Sequence, residues 1–160
     1  LLVTLLLCQF GVLQETLLYL SLYLKKRRAE YYELLDRVRR EGDWEAWLTF
    51  FLEGVRETAE GAITTARRLI TLFESDEQKI KARGRSASSA LRVHAALKRR
   101  PLASLQEIQR NSGLSFPTAA TAMSYLLDLD IAGEVTGKKR NRVFAYIRYL
   151  SILGEGTEAL

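Results

Sequence analysis

Cysteine is almost missing from this sequence. Cys8 stands alone among 160 residues, which excludes an internal disulfide and leaves no ligand cluster for zinc. It lies in an apolar run and reads as a small core residue. A long uninterrupted hydrophobic stretch is missing too. The opening "LLVTLLLCQFGVLQETLLYLSLYL" is broken by Gln9, Gln14 and Glu15, whereas a membrane span needs about 20 consecutive apolar residues. No basic leader precedes it, so it does not read as a signal peptide. The expectation is a cytoplasmic protein with no membrane partner, whose natural N-terminus lies upstream of Leu1. Proline is scarce, with only Pro101 and Pro117, and each marks a helix edge.

Apolar residues make up 48% of the chain, enough for a packed core, and charged residues an ordinary 27%. The net charge of +5 is unevenly spread. Residues 1–78 hold 10 basic and 13 acidic side chains, a net −3, and residues 79–160 hold 14 and 6, a net +8. A basic second half beside a mildly acidic first half points to a polyanionic partner for the second.

Periodicity predicts helices almost throughout. Leu1 to Phe10 is apolar on nearly every side, as in a buried helix, and Gly11 stops it. A second helix is expected from Ser21 to about Arg40, with Tyr23, Tyr31, Leu34, Leu35 and Val38 as its stripe. Gly42 ends it and Asp43 caps the next. The third is long. Trp44, Trp47, Leu48, Phe51, Val55, Ala59, Ala62, Ile63, Ala66, Leu69, Ile70 and Phe73 recur at three- and four-residue spacing, and the helix runs to about Lys81 with both tryptophans in its core face. The segment "KARGRSASS" is small, polar and holds Gly84, which makes it the boundary. The expected organisation is therefore 1–82, a linker at 83–89, and a second domain over 90–160.

That second domain reads as helix, helix, turn, helix, hairpin. The first helix spans about Ser88 to Arg99, with Leu91, Val93, Ala95 and Leu97 apolar. Its His94, the sole histidine, is expected to be a surface or partly buried residue with no chemical role. Ser104 and Glu107 have capping-box spacing, placing Leu105 and Ile108 inside a short helix. In "NSGLS", Gly113 takes the left-handed conformation and Leu114 plugs the core. Ser115 caps a third helix whose buried face is Ala119, Ala122, Met123, Leu126 and Leu129, with Pro117 in its first turn. "GEVTGKKRNRVFAYI" alternates as two strands around a loop from Thr136 to Asn141.

The helix-turn-helix spacing followed by a hairpin resembles a winged helix, in which the third helix lies in the major groove and the hairpin touches backbone or minor groove. The likeness is closer than fold level. "SFPTA" (Ser115 to Ala119), the pattern E-x-TG-x-x-R-x-R-x-F-x-Y (Glu134 to Tyr146) and "YL-x-IL" (Tyr149 to Leu153) resemble the C-terminal winged-helix domain of large bacterial Fic proteins. "RRAEYYELLDRVRREGDWEAWLTFFLEGV", Arg27 to Val55, is similar to the helix pair after the Fic active-site loop. The resemblance implies a mainly α chain: the helical C-terminal part of a Fic fold, then a winged helix-turn-helix domain with a small β-hairpin. Fic proteins transfer AMP from ATP to a hydroxyl of a target protein, using a loop of pattern H-P-F-x-D-G-N-G-R. That loop is absent here. In the family an "LL" and an apolar helix come almost directly after it, as Leu1-Leu2-Val3 would. The resemblance thus implies a non-catalytic piece, with no catalytic residue, metal ligand or cofactor of its own; ATP and Mg2+ belong to the intact parent. It places Tyr32 on the wall of the adenine pocket, with Arg39 close by.

For DNA, the expected contacts are Lys138, Lys139, Arg140 and Arg142 on phosphates, with Asn141 as a hydrogen-bond donor. Lys98, Arg99, Arg100 and Arg110 add charge. Ser115 and Thr118 at a helix N-terminus suit a phosphate, and Thr121, Ser124 and Tyr125 share their outward face with Phe116, Pro117 and Ala120. That face has no Arg, Lys, Asn or Gln, the side chains that read bases bidentately. Strong sequence reading is therefore not expected, and the same face suits packing against protein. Duplex DNA, the parent enzyme's target protein and a second copy of the chain stand as the expected partners. Beside the Fic reading stand a nucleic-acid-binding regulator and a docking or dimerisation module.

Overall fold

The computed structural model describes residues 6, 9–11, 20–82, 84, 87–138 and 141–155. Cys8, most of the helix expected over Leu1 to Phe10, Lys139 and Arg140, and Arg83, Arg85 and Ser86 of the expected linker lie outside the described residues. The chain is mainly helical, with one small antiparallel sheet. It divides into two compact units, Leu1–Ala66 and Arg67–Leu160. The division falls inside the long helix and not at 83–89, because the last turns of that helix send Leu72, Phe73 and Ile80 into the second core. Ala87 to Ser89 already belong to the following helix. Among the described residues no helix is long and apolar enough to cross a membrane.

In the first unit, α1 (Leu20–Lys26) and α2 (Arg28–Glu41) pack with the start of α3 (Trp44–Lys81). The single helix expected from Ser21 to Arg40 is two. Its backbone leaves helical geometry at Arg27, φ −112° and ψ 38°, where the guanidinium stacks 4.7 Å over the Tyr23 ring and pairs with Glu57 at 3.0 Å. Leu20, Tyr23, Leu34 and Phe50 form the core. Gly42 is left-handed and donates to Val38 O, and Asp43 Oδ1 accepts from Ala46 N at 3.1 Å, as the sequence predicts. Trp47 stacks on Phe51 at 5.3 Å, but Trp44 is 60% exposed and no core residue. It precedes the first position of α3 that a neighbouring helix covers.

Gly54 allows the close approach of α1. A Cβ there would lie 2.6 Å from Tyr23 Cδ1, closer than carbon atoms tolerate, and the Tyr23 ring is pinned against Phe50. Further along α3, Gly61, Ala62, Ile63, Ala66 and Ile70 are all exposed. The apolar stripe predicted to be continuous is buried only towards the two ends of the helix.

The second unit adds α4 (Ala87–Arg99), β1 (Leu102–Ser104), α5 (Leu105–Ser112), α6 (Phe116–Asp128), β2 (Gly133–Glu134), β3 (Val143–Ala145) and α7 (Ile147–Gly154). The sheet order is β1-β3-β2, antiparallel throughout, with Ala145 of β3 between Leu102 and Gly133. β1 and α7 are additions to the expected elements. β1 is three residues with no alternation to read, and it becomes a strand only by pairing with β3. On α4 the buried face is Ala90, Val93, His94, Ala96 and Leu97, whereas Ala95 is exposed. Ala119, Ala122, Met123 and Leu126 of α6 are buried as predicted, with Leu129 half-buried at its end.

Two glycine replacements in α3 are expected to have opposite signs. Gly54→Ala forces a methyl into the Tyr23 ring and should cost about 1–3 kcal/mol. Gly61→Ala meets nothing within 4 Å and should gain up to about 1 kcal/mol from helix propensity. Urea denaturation of both variants checks this; equal effects would show that Tyr23 yields freely.

Candidate nucleic-acid interface

The turn between α5 and α6 is set by three local devices. Ser104 Oγ accepts from Glu107 N, while the Glu107 carboxylate accepts from Ser104 N and Oγ, both at 2.8 Å. This closes the predicted capping box. Gly113 then adopts φ 63°, a left-handed conformation that costs other L-residues energy, and Arg92 donates to its carbonyl at 3.1 Å. Ser115 caps α6 by accepting from Thr118 N. Through these devices Phe116 enters α6 beside the hairpin.

The hydroxyls on the outward face of α6 are largely committed to their own helix. Thr121 Oγ1 donates to Pro117 O at 3.0 Å and Ser124 Oγ to Ala120 O at 3.2 Å. Ser115 Oγ and Thr118 Oγ1 bond each other at 2.7 Å, so that pair retains a single hydroxyl proton for an outside acceptor. Tyr125 is half-buried and packs against the core. What α6 offers a partner is thus mainly apolar: Phe116, 47% exposed, Pro117, and the methyl of Thr121.

The hairpin is organised by Glu134. Its carboxylate accepts from Thr136 N at 2.9 Å, from Gly137 N at 3.0 Å and from the Thr136 hydroxyl. These bonds, that of the Thr136 hydroxyl first, hold its carboxyl below the usual carboxylate range. Thr136 Oγ1 also accepts from Val143 N, which stitches the two limbs. The pattern E-x-TG is therefore a loop clamp. Beyond it Lys138, Asn141 and Arg142 are exposed. Asn141 is left-handed at φ 53°, a conformation that Asn tolerates better than most residues. The Arg142 guanidinium lies 5.0 Å over the Phe144 ring, which fixes it against the sheet.

The other candidates lie in the first unit. Tyr32 is exposed on α2, its ring 5.4 Å from the Arg28 guanidinium and 5.5 Å from the Tyr31 ring. Arg39 is exposed on the same face, two turns further. Neither lines the shallow hollow of this unit, whose rim holds Glu30, Asp43, Glu45 and Glu53, a charge that repels phosphate. Tyr32 and Arg39 do not make a nucleotide pocket by themselves. Among the described residues no group of three or more His, Cys, Asp or Glu side chains could hold a metal ion.

One cluster escaped the sequence reading. His94, Tyr146 and Asp76 are all fully buried in the second unit. Tyr146 donates to Asp76 Oδ2 at 2.8 Å, and His94 Nε2 lies 3.1 Å from the same hydroxyl. With that hydroxyl proton used on Asp76, Nε2 carries the proton of the imidazole and donates to the Tyr146 oxygen. His94 Nδ1 has no hydrogen-bond partner. Lys79 at 2.7 Å and Arg148 at 3.5 Å complete the shell of Asp76. Such a sealed group cannot meet a substrate; it holds the unit together. A signal existed: Phe73, Asp76 and Ile80 continue the three-and-four spacing of α3, so Asp76 is a carboxylate on an apolar stripe.

Burial, and then the nearby Lys98 charge, push the His94 imidazole down to about 4. The unfolded chain titrates near 6.5 and so binds the proton first as pH falls. This contribution is complete above about pH 6.5 and is lost between there and pH 4. At about 1.4 kcal/mol per pH unit it amounts to about 3 kcal/mol. Urea midpoints at pH 7 and pH 4.5 should separate widely for the native chain and much less for His94→Gln; an equal gap would place the acid sensitivity elsewhere. Tyr146→Phe should cost about 1–3 kcal/mol at pH 7, since Asp76 and His94 both lose a partner. No protein-family model matches the chain.

Proposed function

We propose that the chain is the C-terminal, non-catalytic part of a Fic-type protein adenylyltransferase, and that it ends in a winged-helix module that grips duplex DNA by its phosphates. The parent's AMP transfer needs ATP and Mg2+, and no chemical step is assigned to this chain. Helix, strand, helix, tight turn, helix and hairpin succeed one another in the order a winged helix requires. The Fic-like motifs fall on the parts that shape this module: Ser115 as a cap, Glu134 as the hairpin clamp, Tyr146 in the buried network.

The observation that carries the DNA reading is the hairpin tip. Lys138, Asn141 and Arg142 are exposed, and Asn141 and Arg142 share a groove with Phe116 at the start of α6. Cations there can meet phosphates while α6 faces the duplex. Because the α6 hydroxyls bond to their own helix and no bidentate base reader stands among them, the grip is electrostatic and only weakly sequence-dependent.

Two measurements test this. Affinity for a blunt duplex should fall steeply with salt, and replacing Lys138, Lys139, Arg140 and Arg142 together by Ala should flatten the slope of log K against log salt by about 0.9 per lost phosphate contact. No duplex binding at low salt would leave the docking or dimerisation reading. Incubated with labelled ATP, Mg2+ and candidate targets, the chain alone should transfer no AMP; metal-dependent labelling would overturn the non-catalytic assignment.

A further inference from the structure

The groove beside the hairpin has more chemistry than a phosphate grip uses. It lies between the start of α5, the start of α6 and the beginning of β3, and encloses about 610 Å3, within the roughly 300–1,000 Å3 of small-ligand sites. Its walls are Leu105, Phe116 and Val143, and its polar groups are Gln106, Asn141 and Arg142. We propose that this groove holds an unpaired nucleobase together with its adjoining phosphate, the base against Phe116 and the phosphate at Arg142. The proposal deepens the nucleic-acid reading above and rests on it for the polyanionic partner.

Three features select this ligand. Phe116 presents a half-exposed aromatic ring to the groove, and every base has a face that stacks on such a ring. Gln106 and Asn141 each carry an amide donor and acceptor, the groups that pair with a base edge. Arg142 makes no salt bridge with any carboxylate among the described residues, and Lys138 extends the positive rim on the same hairpin. Among the described residues no acidic side chain lines the groove. Two carboxylates on the flanking elements are already engaged, Glu107 by Ser104 and Arg100, and Glu134 by the hairpin backbone, with the Arg142 charge acting on it as well. An apolar peptide side chain would cover Phe116 but use neither the two amides nor the guanidinium beside it. A base with a phosphate satisfies both sets.

The test compares fluorescence anisotropy of the full chain with a blunt duplex, the same duplex carrying one unpaired base, and a single strand. The unpaired-base duplex and the single strand should bind roughly tenfold tighter than the blunt one. Phe116→Ala should remove that gain, bringing the unpaired-base duplex and the single strand down to the level of the blunt duplex, with the helical circular dichroism retained; Arg142→Ala should weaken all three. AMP competing where equal inorganic phosphate does not would extend the site to free nucleotides, and competition by neither, with the gain intact, would confine it to strands. Equal affinity for blunt and unpaired-base duplexes would overturn the groove assignment while leaving the phosphate grip. Single-strand binding without blunt-duplex binding would overturn the grip and keep the groove. Absence of all binding, with self-association lost in Phe116→Ala, would overturn both in favour of a contact between copies.

Discussion

The second unit depends on a buried carboxylate. Asp76 has no contact with solvent, and a charge so placed is tolerable only if donors surround it. Two of those donors lie far from it in sequence, Tyr146 after the sheet and Arg148 at the start of α7, and the third, Lys79, is one turn on along α3. Meeting the demand of Asp76 therefore draws the end of α3 onto β3 and α7. The Tyr146 oxygen in turn accepts a hydrogen bond from His94 Nε2, which brings in α4. Phe73 packs its ring against His94, Tyr146 and Tyr149, closing the polar chain inside aromatic walls. An apolar core of the same volume would pack with less demand for angle and register. This one accepts few arrangements, and with them it fixes the base on which the hairpin stands.

Much of the local structure was legible because its causes are local. The capping box at Ser104 and Glu107, the left-handed Gly42 and Gly113 and the Ser115 cap each involve residues within four positions of one another. The buried face of α6 was legible for the same reason, since small and apolar residues repeat at helical spacing. β1 was not, because Leu102 to Ser104 become a strand only when β3 arrives beside them. The break at Arg27 was hidden too, since its partners Tyr23 and Glu57 lie on different helices. His94 looked like a surface or partly buried residue because nothing near it in sequence announces a partner 52 positions away.

The candidate site divides along the same line. The charged hairpin tip could be read directly from Lys138 to Arg142. The commitment of Thr121 and Ser124 to their own backbone could not, although Ser and Thr within helices often bond back to the preceding turn. Nor could the sequence tell that Glu134 spends its charge holding the loop, or that Phe116 stands open beside Arg142. Composition alone distinguishes a basic surface from an acidic one. Whether a hydroxyl or carboxylate on that surface remains available is decided by its neighbours in space.

The exposed middle of α3 has a consequence for local opening. Helices ordinarily loosen from their ends, where backbone groups lack partners. In α3 the Asp43 cap and the buried Phe50 secure one end, and Asp76 and Ile80 secure the other. Gly61 to Ala66 between them have little more than their own backbone ladder and side-chain bonds such as that of Thr64 to Glu60 O. Amide hydrogens of this helix should thus exchange with solvent fastest at its centre, so that it breathes from the inside outward.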